Sequence, residues 1–99
     1  MRIAAEVGRV CISKCGRDRG KVLVIKEIVD EHYVLVADGA LRKVDKPKKK
    51  KLKHLLLKPE VAVSIAAKFE SGVKVFDAEV RSTISNFENV KILQEDLNV

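Results

Sequence analysis

The stretch Cys15-Gly16-Arg17-Asp18-Arg19-Gly20-Lys21 decides how this chain is read. It is short and basic, carries two glycines, and lies between two apolar, β-branched runs. Before it stands Val7-Gly8-Arg9-Val10-Cys11-Ile12, and after it Val22-Leu23-Val24-Ile25-Lys26-Glu27-Ile28-Val29. Runs of this kind joined by a short glycine-containing segment read as a β-hairpin. The hairpin tip then gathers Lys14, Arg17, Arg19 and Lys21.

Outward from that hairpin the β pattern continues. The first strand is expected over residues 7–13, where Gly8 signals a bulge or a close backbone approach. The second covers 21–29 and is continuous enough in Val, Leu and Ile to be central, covered on both faces at one end. After the polar turn Asp30-Glu31-His32, Tyr33-Val34-Leu35-Val36-Ala37 forms a third strand, closed by Asp38-Gly39. A shorter fourth strand is expected at Leu41-Arg42-Lys43-Val44. The lysine-rich run Lys46-Pro47-Lys48-Lys49-Lys50-Lys51 follows, and Leu52 and Leu55-Leu56-Leu57 return the chain to the core around Lys53-His54. Short strands without intervening helices favour a small barrel over a parallel sheet. Closure would also remove aggregation-prone edges.

Pro59 marks a boundary. Beyond it Val61, Ile65 and Phe69 recur at helical spacing beside Ala62 and Ala66, with Gly72 placed to end the helix. A second helix is expected to start with Asp77 as its N-cap and to carry Phe76, Val80, Ile84 and Phe87 on one side. Residues 90–99 keep Ile92, Leu93 and Leu97 but show no clear type. The expected organisation is therefore a mainly β domain over 1–58 and a helical extension over 59–99.

The 99 residues suit one small domain, and 46% hydrophobic content argues against global disorder. The net charge of +6 is unevenly spread. Residues 1–58 hold 16 of the 20 Lys and Arg against 7 acids, a balance of +9, while 59–99 balance at −3. A basic first section suits a polyanionic partner, although a solvated, highly charged surface would share that composition. Neither a leader peptide nor an apolar run long enough to span a membrane is read here. The expectation is a cytoplasmic protein without membrane contact. Cys11 and Cys15 are too far apart along an extended strand for a disulfide, at roughly 13 Å. Both are read as free thiols, with Cys11 as a small core residue.

No catalytic constellation, metal-ligand spacing or cofactor motif is visible. The glycine spacing at 16–21 fails the phosphate-binding P-loop pattern: three residues separate the glycines, and Val22 follows Lys21 where Ser or Thr is required. The expectation is a non-enzymatic protein that grips phosphate backbone. Arg17 and Arg19 would supply bidentate contacts, and Lys14 and Lys21 point charges. Gly16 and Gly20 would let the main chain approach closely. Arg42, Lys43, Lys48, Lys49, Lys50, Lys51, Lys53 and His54 complete the candidate RNA-binding set. Tyr33 could stack on an unpaired base, or simply pack in the core or rim.

Val7-Gly8-Arg9-Val10, the segment from Gly16 to Val22, and Val34-Leu35-Val36 together resemble the KOW motif of ribosomal proteins and transcription elongation factors. With Glu6 and Lys53-His54-Leu55 they are similar to the fourteen-e class of archaeal and eukaryotic large-subunit ribosomal proteins, and to small bacterial KOW-domain proteins. The likeness covers about residues 5–58. It implies an SH3-like barrel that binds ribosomal RNA through Gly16, Arg17, Arg19, Gly20, Lys21 and the Lys53-His54 segment, with ribosomal proteins as neighbours. The alternative it leaves is a KOW module that docks onto ribosomal or transcription machinery through protein contacts.

Overall fold

In the computed structural model, residues 3–97 are described, with side chains described to residue 88. Five strands form one antiparallel sheet: β1 (Arg9–Ser13), β2 (Val22–Ile28), β3 (Tyr33–Ala37), β4 (Lys48–Lys51) and β5 (Leu55–Val61). Two helices follow, α1 (Val63–Ser71) and α2 (Asp77–Leu97). The strand order is β4-β3-β2-β1-β5. The fold is thus mainly β with C-terminal helices, as expected. Among the described residues, however, no ladder joins the edge strands β4 and β5, so the sheet is not closed. A single 3-10 turn, Leu52–His54, carries the chain from one edge to the other.

Alternation along the strands sorts the apolar residues onto two faces. Val10, Val22, Val24 and Ala37 cluster with Ile65, Val80 and Ile84 of the helices. On the opposite face Cys11, Leu23, Ile25, Val34, Val36 and Leu55 form a second cluster. β2 is buried on both faces over its first four residues and emerges at Glu27 and Ile28. A register shift between Ile25 and Glu27 re-aims the strand where the burial ends.

The expected fourth strand at 41–44 does not form; the strand lies at 48–51. Competing partners explain the displacement. Asp38 Oδ1 accepts the Ala40 and Arg42 N–H groups at 2.9 and 2.8 Å, closing an Asx-type turn. Val44 N–H donates to Asp77 Oδ1 at 2.8 Å, and its carbonyl accepts from Lys26 Nζ at 2.7 Å. The backbone groups a strand would need are already used. Asp77 accordingly spends its carboxylate on Val44 rather than capping its own helix. Phe76 also departs from the expected stripe and is 55% exposed, whereas Val80 and Ile84 are buried and Phe87 packs against their cluster.

Pro59 lies inside β5, and α1 begins only at Val63. Gly72 ends α1 in the left-handed conformation, φ 78°. α2 extends through the residues whose type the sequence leaves open, up to Leu97, and residues 98 and 99 fall outside the described chain. Gly8 makes the close approach its position suggested. Its φ is 88°, a Cβ there would meet Ala66, and its carbonyl accepts the Ala62 N–H at 2.8 Å. Arg9 clasps the same corner, donating to the carbonyls of Ala4, Lys58 and Pro59 and pairing with Glu6 at 2.8 Å. The Gly8-Arg9 pair therefore holds the β1 start to the β5 end.

Candidate nucleic-acid interface

The loop between β1 and β2 is more ordered than its composition suggests. Gly20 N–H donates to the Ser13 carbonyl at 2.8 Å and Ser13 N–H to the Lys21 carbonyl at 3.0 Å, extending the ladder past Ile12 and Val22. Arg19 N–H reaches Gly16 O at 3.2 Å and Lys21 N–H reaches Asp18 O at 2.8 Å. These successive turns require Gly16 and Gly20 at φ 79° and 84°, the left-handed region open to glycine. The result is a compact tip that presents Arg17 and Arg19 outward.

Asp18 fixes that tip from beneath. It is only 1% exposed, in the middle of a basic loop. Arg42 Nε donates to Asp18 Oδ2 at 3.1 Å, Lys50 Nζ lies 3.9 Å from the same oxygen, and Lys21 Nζ lies 3.9 Å from Oδ1. Lys50 also donates to Ser13 Oγ at 3.2 Å, and that hydroxyl donates to the Cys15 carbonyl at 2.9 Å. A buried carboxylate persists only when paired and hydrogen-bonded. Here the pairing draws one residue from the loop, one from the 38–47 connection and one from β4 into a single contact. Asp18 was not among the candidates read from the sequence. The available signal was an acid flanked by two arginines and bracketed by glycines.

The His54 segment joins the same assembly: the Lys14 N–H donates to the His54 carbonyl at 2.8 Å. His54 takes part through its backbone. The three candidate segments are thus adjacent in space, although the loop lies roughly thirty residues before the lysine run and the Lys53-His54 segment that follows it.

The lysine run itself divides. β4 pairs with β3 in the register Tyr33↔Lys51, Val34↔Lys50, Leu35↔Lys49 and Val36↔Lys48. Because side chains alternate, Lys50 turns toward the face of Val34 and Val36, and its side chain is 11% exposed. Lys49 and Lys51 turn to the other face, with Nζ atoms 4.6 and 5.8 Å from the centre of the Tyr33 ring. Among the described residues, Lys14, Arg17, Arg19, Lys43, Lys48, Lys49, Lys51 and Lys53 form no ion pair, whereas Lys21, Arg42 and Lys50 all face Asp18.

Cys11 lies on the Lys50 side of the sheet. Burial pushes its thiol up to about 12, against a smaller opposing pull from Lys50. It is an inert core residue, and neither cysteine is in a disulfide. Among the described residues no cluster of His, Cys, Asp and Glu is placed to hold a metal ion, and no helix is long and apolar enough to cross a membrane.

No family model matches the chain. Curated relatives do. The large ribosomal subunit protein eL14 of Methanococcus vannielii is 50% identical over 40 residues, covering 40% of this chain and 51% of the relative. That of Desulfurococcus amylolyticus is 36% identical over 52 residues, 52% of this chain and 54% of its own. The Methanococcus maripaludis strain C7 protein is 45% identical over 40 residues, 40% of this chain and 52% of the relative. The chain resembles eL14. It spans about half the length of the relatives it matches. The reading of the chain as a non-enzymatic protein agrees with relatives that are named as ribosomal subunit proteins.

Proposed function

We propose that this chain is an RNA-binding protein of the ribosome, gripping ribosomal RNA in the cytoplasm through the Asp18-organised surface, with ribosomal proteins as neighbours. The observation that carries the reading is the division of the cations. Three are spent on Asp18 and thereby order the loop, and the exposed remainder is left for phosphate. Arg17 and Arg19 would make bidentate contacts, with Lys14, Lys43, Lys48, Lys49, Lys51 and Lys53 as point charges. Lys21, Arg42, Lys50, Gly16, Gly20 and the His54 backbone act by positioning the others. Residues 1–58 form the binding unit, related to the SH3-like KOW barrel, with the 3-10 turn bridging its open seam. The helical extension of 59–99 packs α1 and α2 against the cluster of Val10, Val22, Val24 and Ala37. The eL14 relatives support this reading over the region they match.

The test is the double variant Arg17→Glu, Arg19→Glu, compared with the native chain in binding ribosomal RNA across a salt series. Loss of affinity and a shallower salt dependence are expected, because fewer counterions are released. Unchanged affinity and slope would remove the loop from the interface.

A further inference from the structure

We propose that Tyr33 is a stacking platform for a single unpaired nucleobase, in a cleft at the outer end of β3 and β4. The proposal rests on the RNA-binding reading and specifies what kind of RNA that surface takes. Tyr33 is half-buried, at the start of β3, on the sheet face away from Val34 and Val36. It lines a cleft of about 280 Å³ together with Glu31, His32, Lys51, Leu52 and Lys53. That volume stands at the lower edge of the roughly 300–1,000 Å³ of small-ligand sites, room enough for a single base.

The cleft carries both signs of charge. Lys51 and Lys53 line it, and Lys49 Nζ lies 4.6 Å from the centre of the Tyr33 ring. Glu31 and His32, 3.3 Å apart, line it from the turn before β3. A nucleotide bound here would displace the Lys49 ammonium from the Tyr33 ring, lay its base in that place, pair its phosphates with Lys49, Lys51 and Lys53, and offer its polar edge to Glu31 and His32. Aromatic stacking beside a cationic track is how sequence-tolerant single-strand recognition works. Base-paired RNA has no splayed base to insert. The cleft therefore makes this surface prefer loops, bulges or single strands over regular duplex.

The ring is its own reporter, since Tyr33 is the sole tyrosine and the chain has no tryptophan. The probes are a single-stranded oligouridylate of about ten nucleotides, near the site size of small single-strand binders, an RNA duplex of equal length, and uridine monophosphate. Tyrosine emission is corrected for RNA absorption against free tyrosinamide, and binding is measured separately by anisotropy. The oligouridylate should quench Tyr33 emission and the duplex should not. Tyr33→Phe should keep the single-strand affinity, while Tyr33→Leu should lower it by about tenfold, the scale of one lost stack, and leave duplex affinity alone. Saturating single-strand binding without quenching would overturn the proposal and leave the RNA-binding reading intact, as would a Tyr33→Leu affinity equal to the native one. Quenching by the monophosphate alone would overturn it in favour of a free-nucleotide site. Absence of binding to both RNAs by a chain that still binds ribosomal RNA would overturn the platform and leave the RNA-binding reading intact, whereas loss of ribosomal RNA binding as well would remove both. Should Tyr33→Leu fail to fold, the quenching contrast on the native chain decides alone.

Discussion

Lys50 and Lys49 are neighbours in one strand and have opposite fates. Lys50 is drawn inward, bonded to Ser13 and facing Asp18, where it helps shape the loop. Lys49 stands outside over Tyr33, without an ion pair among the described residues. A run of like charges is thus two sets, divided by the two-residue period of the strand. Lys50 supports the surface, while Lys49 and Lys51 are part of it. Lys48 shares the parity of Lys50 but stays exposed, without an ion pair among the described residues. Charge count alone overstates the free charge of the run, because Lys50 is committed to a carboxylate.

Removing Asp18 is the most direct way to break that contrast. Asp18→Ala leaves Arg42 and Lys50 facing each other without their counter-charge. Breaking a fully buried pair costs about 3–5 kcal/mol; the partners here are partly solvated, so about 2–3 kcal/mol is expected in urea unfolding. The loop should loosen as well, lowering RNA affinity although Asp18 itself repels phosphate. Gain of affinity would mean that the acid opposes binding and organises nothing.

The lysine variants sharpen the comparison further. Lys50→Met should cost about 1.5 kcal/mol of stability, the low end for a hydrogen bond from a charged group, with little change in the salt dependence of binding. Lys49→Met and Lys51→Met should leave unfolding nearly unchanged, as solvated side chains do. Each should reduce the slope of log affinity against log salt by a little under 1, the signature of a lost phosphate contact. If all three variants behaved alike, the division of the run would be wrong.

Much of this arrangement was legible in the sequence. The hairpin, the third strand at Tyr33–Ala37 and the helix ended by Gly72 follow from period and turn residues. The loop and the lysine run were both legible as basic. What could not be read was which basic residues are spent internally. That depends on the Tyr33↔Lys51 register, a long-range pairing no local pattern encodes. The fourth strand was misplaced for a related reason. Leu41 to Val44 has strand-like residues, but Asp38 and Asp77 take its backbone donors, and Asp77 arrives from another element. Propensity yields to partners supplied from a distance.

Cys11 tests how dry the inner side is. A thiol raised to about 12 in the fold ionises near its ordinary value of 9 once unfolded. Its contribution to stability is therefore complete below about 9 and is lost as pH rises from there toward about 12. The stability difference between the native chain and Cys11→Ala should shrink over that window. Cys15, half-exposed in the loop, should react with iodoacetamide in the folded chain while Cys11 waits for denaturant. Two fast-reacting thiols would show that water reaches the face beneath Lys50.

The outer side has its own, weaker titration. Asp30 Oδ1 accepts the N–H groups of His32 and Tyr33, each at 2.8 Å, and so fixes the turn from which the Tyr33 ring projects. These bonds, the one from His32 foremost, hold its carboxyl below the usual range, opposed by a smaller desolvation effect and aided by the charges of His32 and Lys49. A depressed folded pKa means that the contribution is present above the unfolded value and fades as pH falls through the folded one. Asp30→Asn keeps an acceptor oxygen but cannot titrate. Its urea midpoint should therefore decline less than the native one between neutral pH and about pH 3, near the ordinary carboxylate range. Tyr33 emission should follow the same difference if the turn positions the ring. Parallel declines in both proteins would detach Asp30 from Tyr33 and leave the outer face ordered by the β3–β4 pairing alone, a local difference that the buried charges around Asp18 would not register.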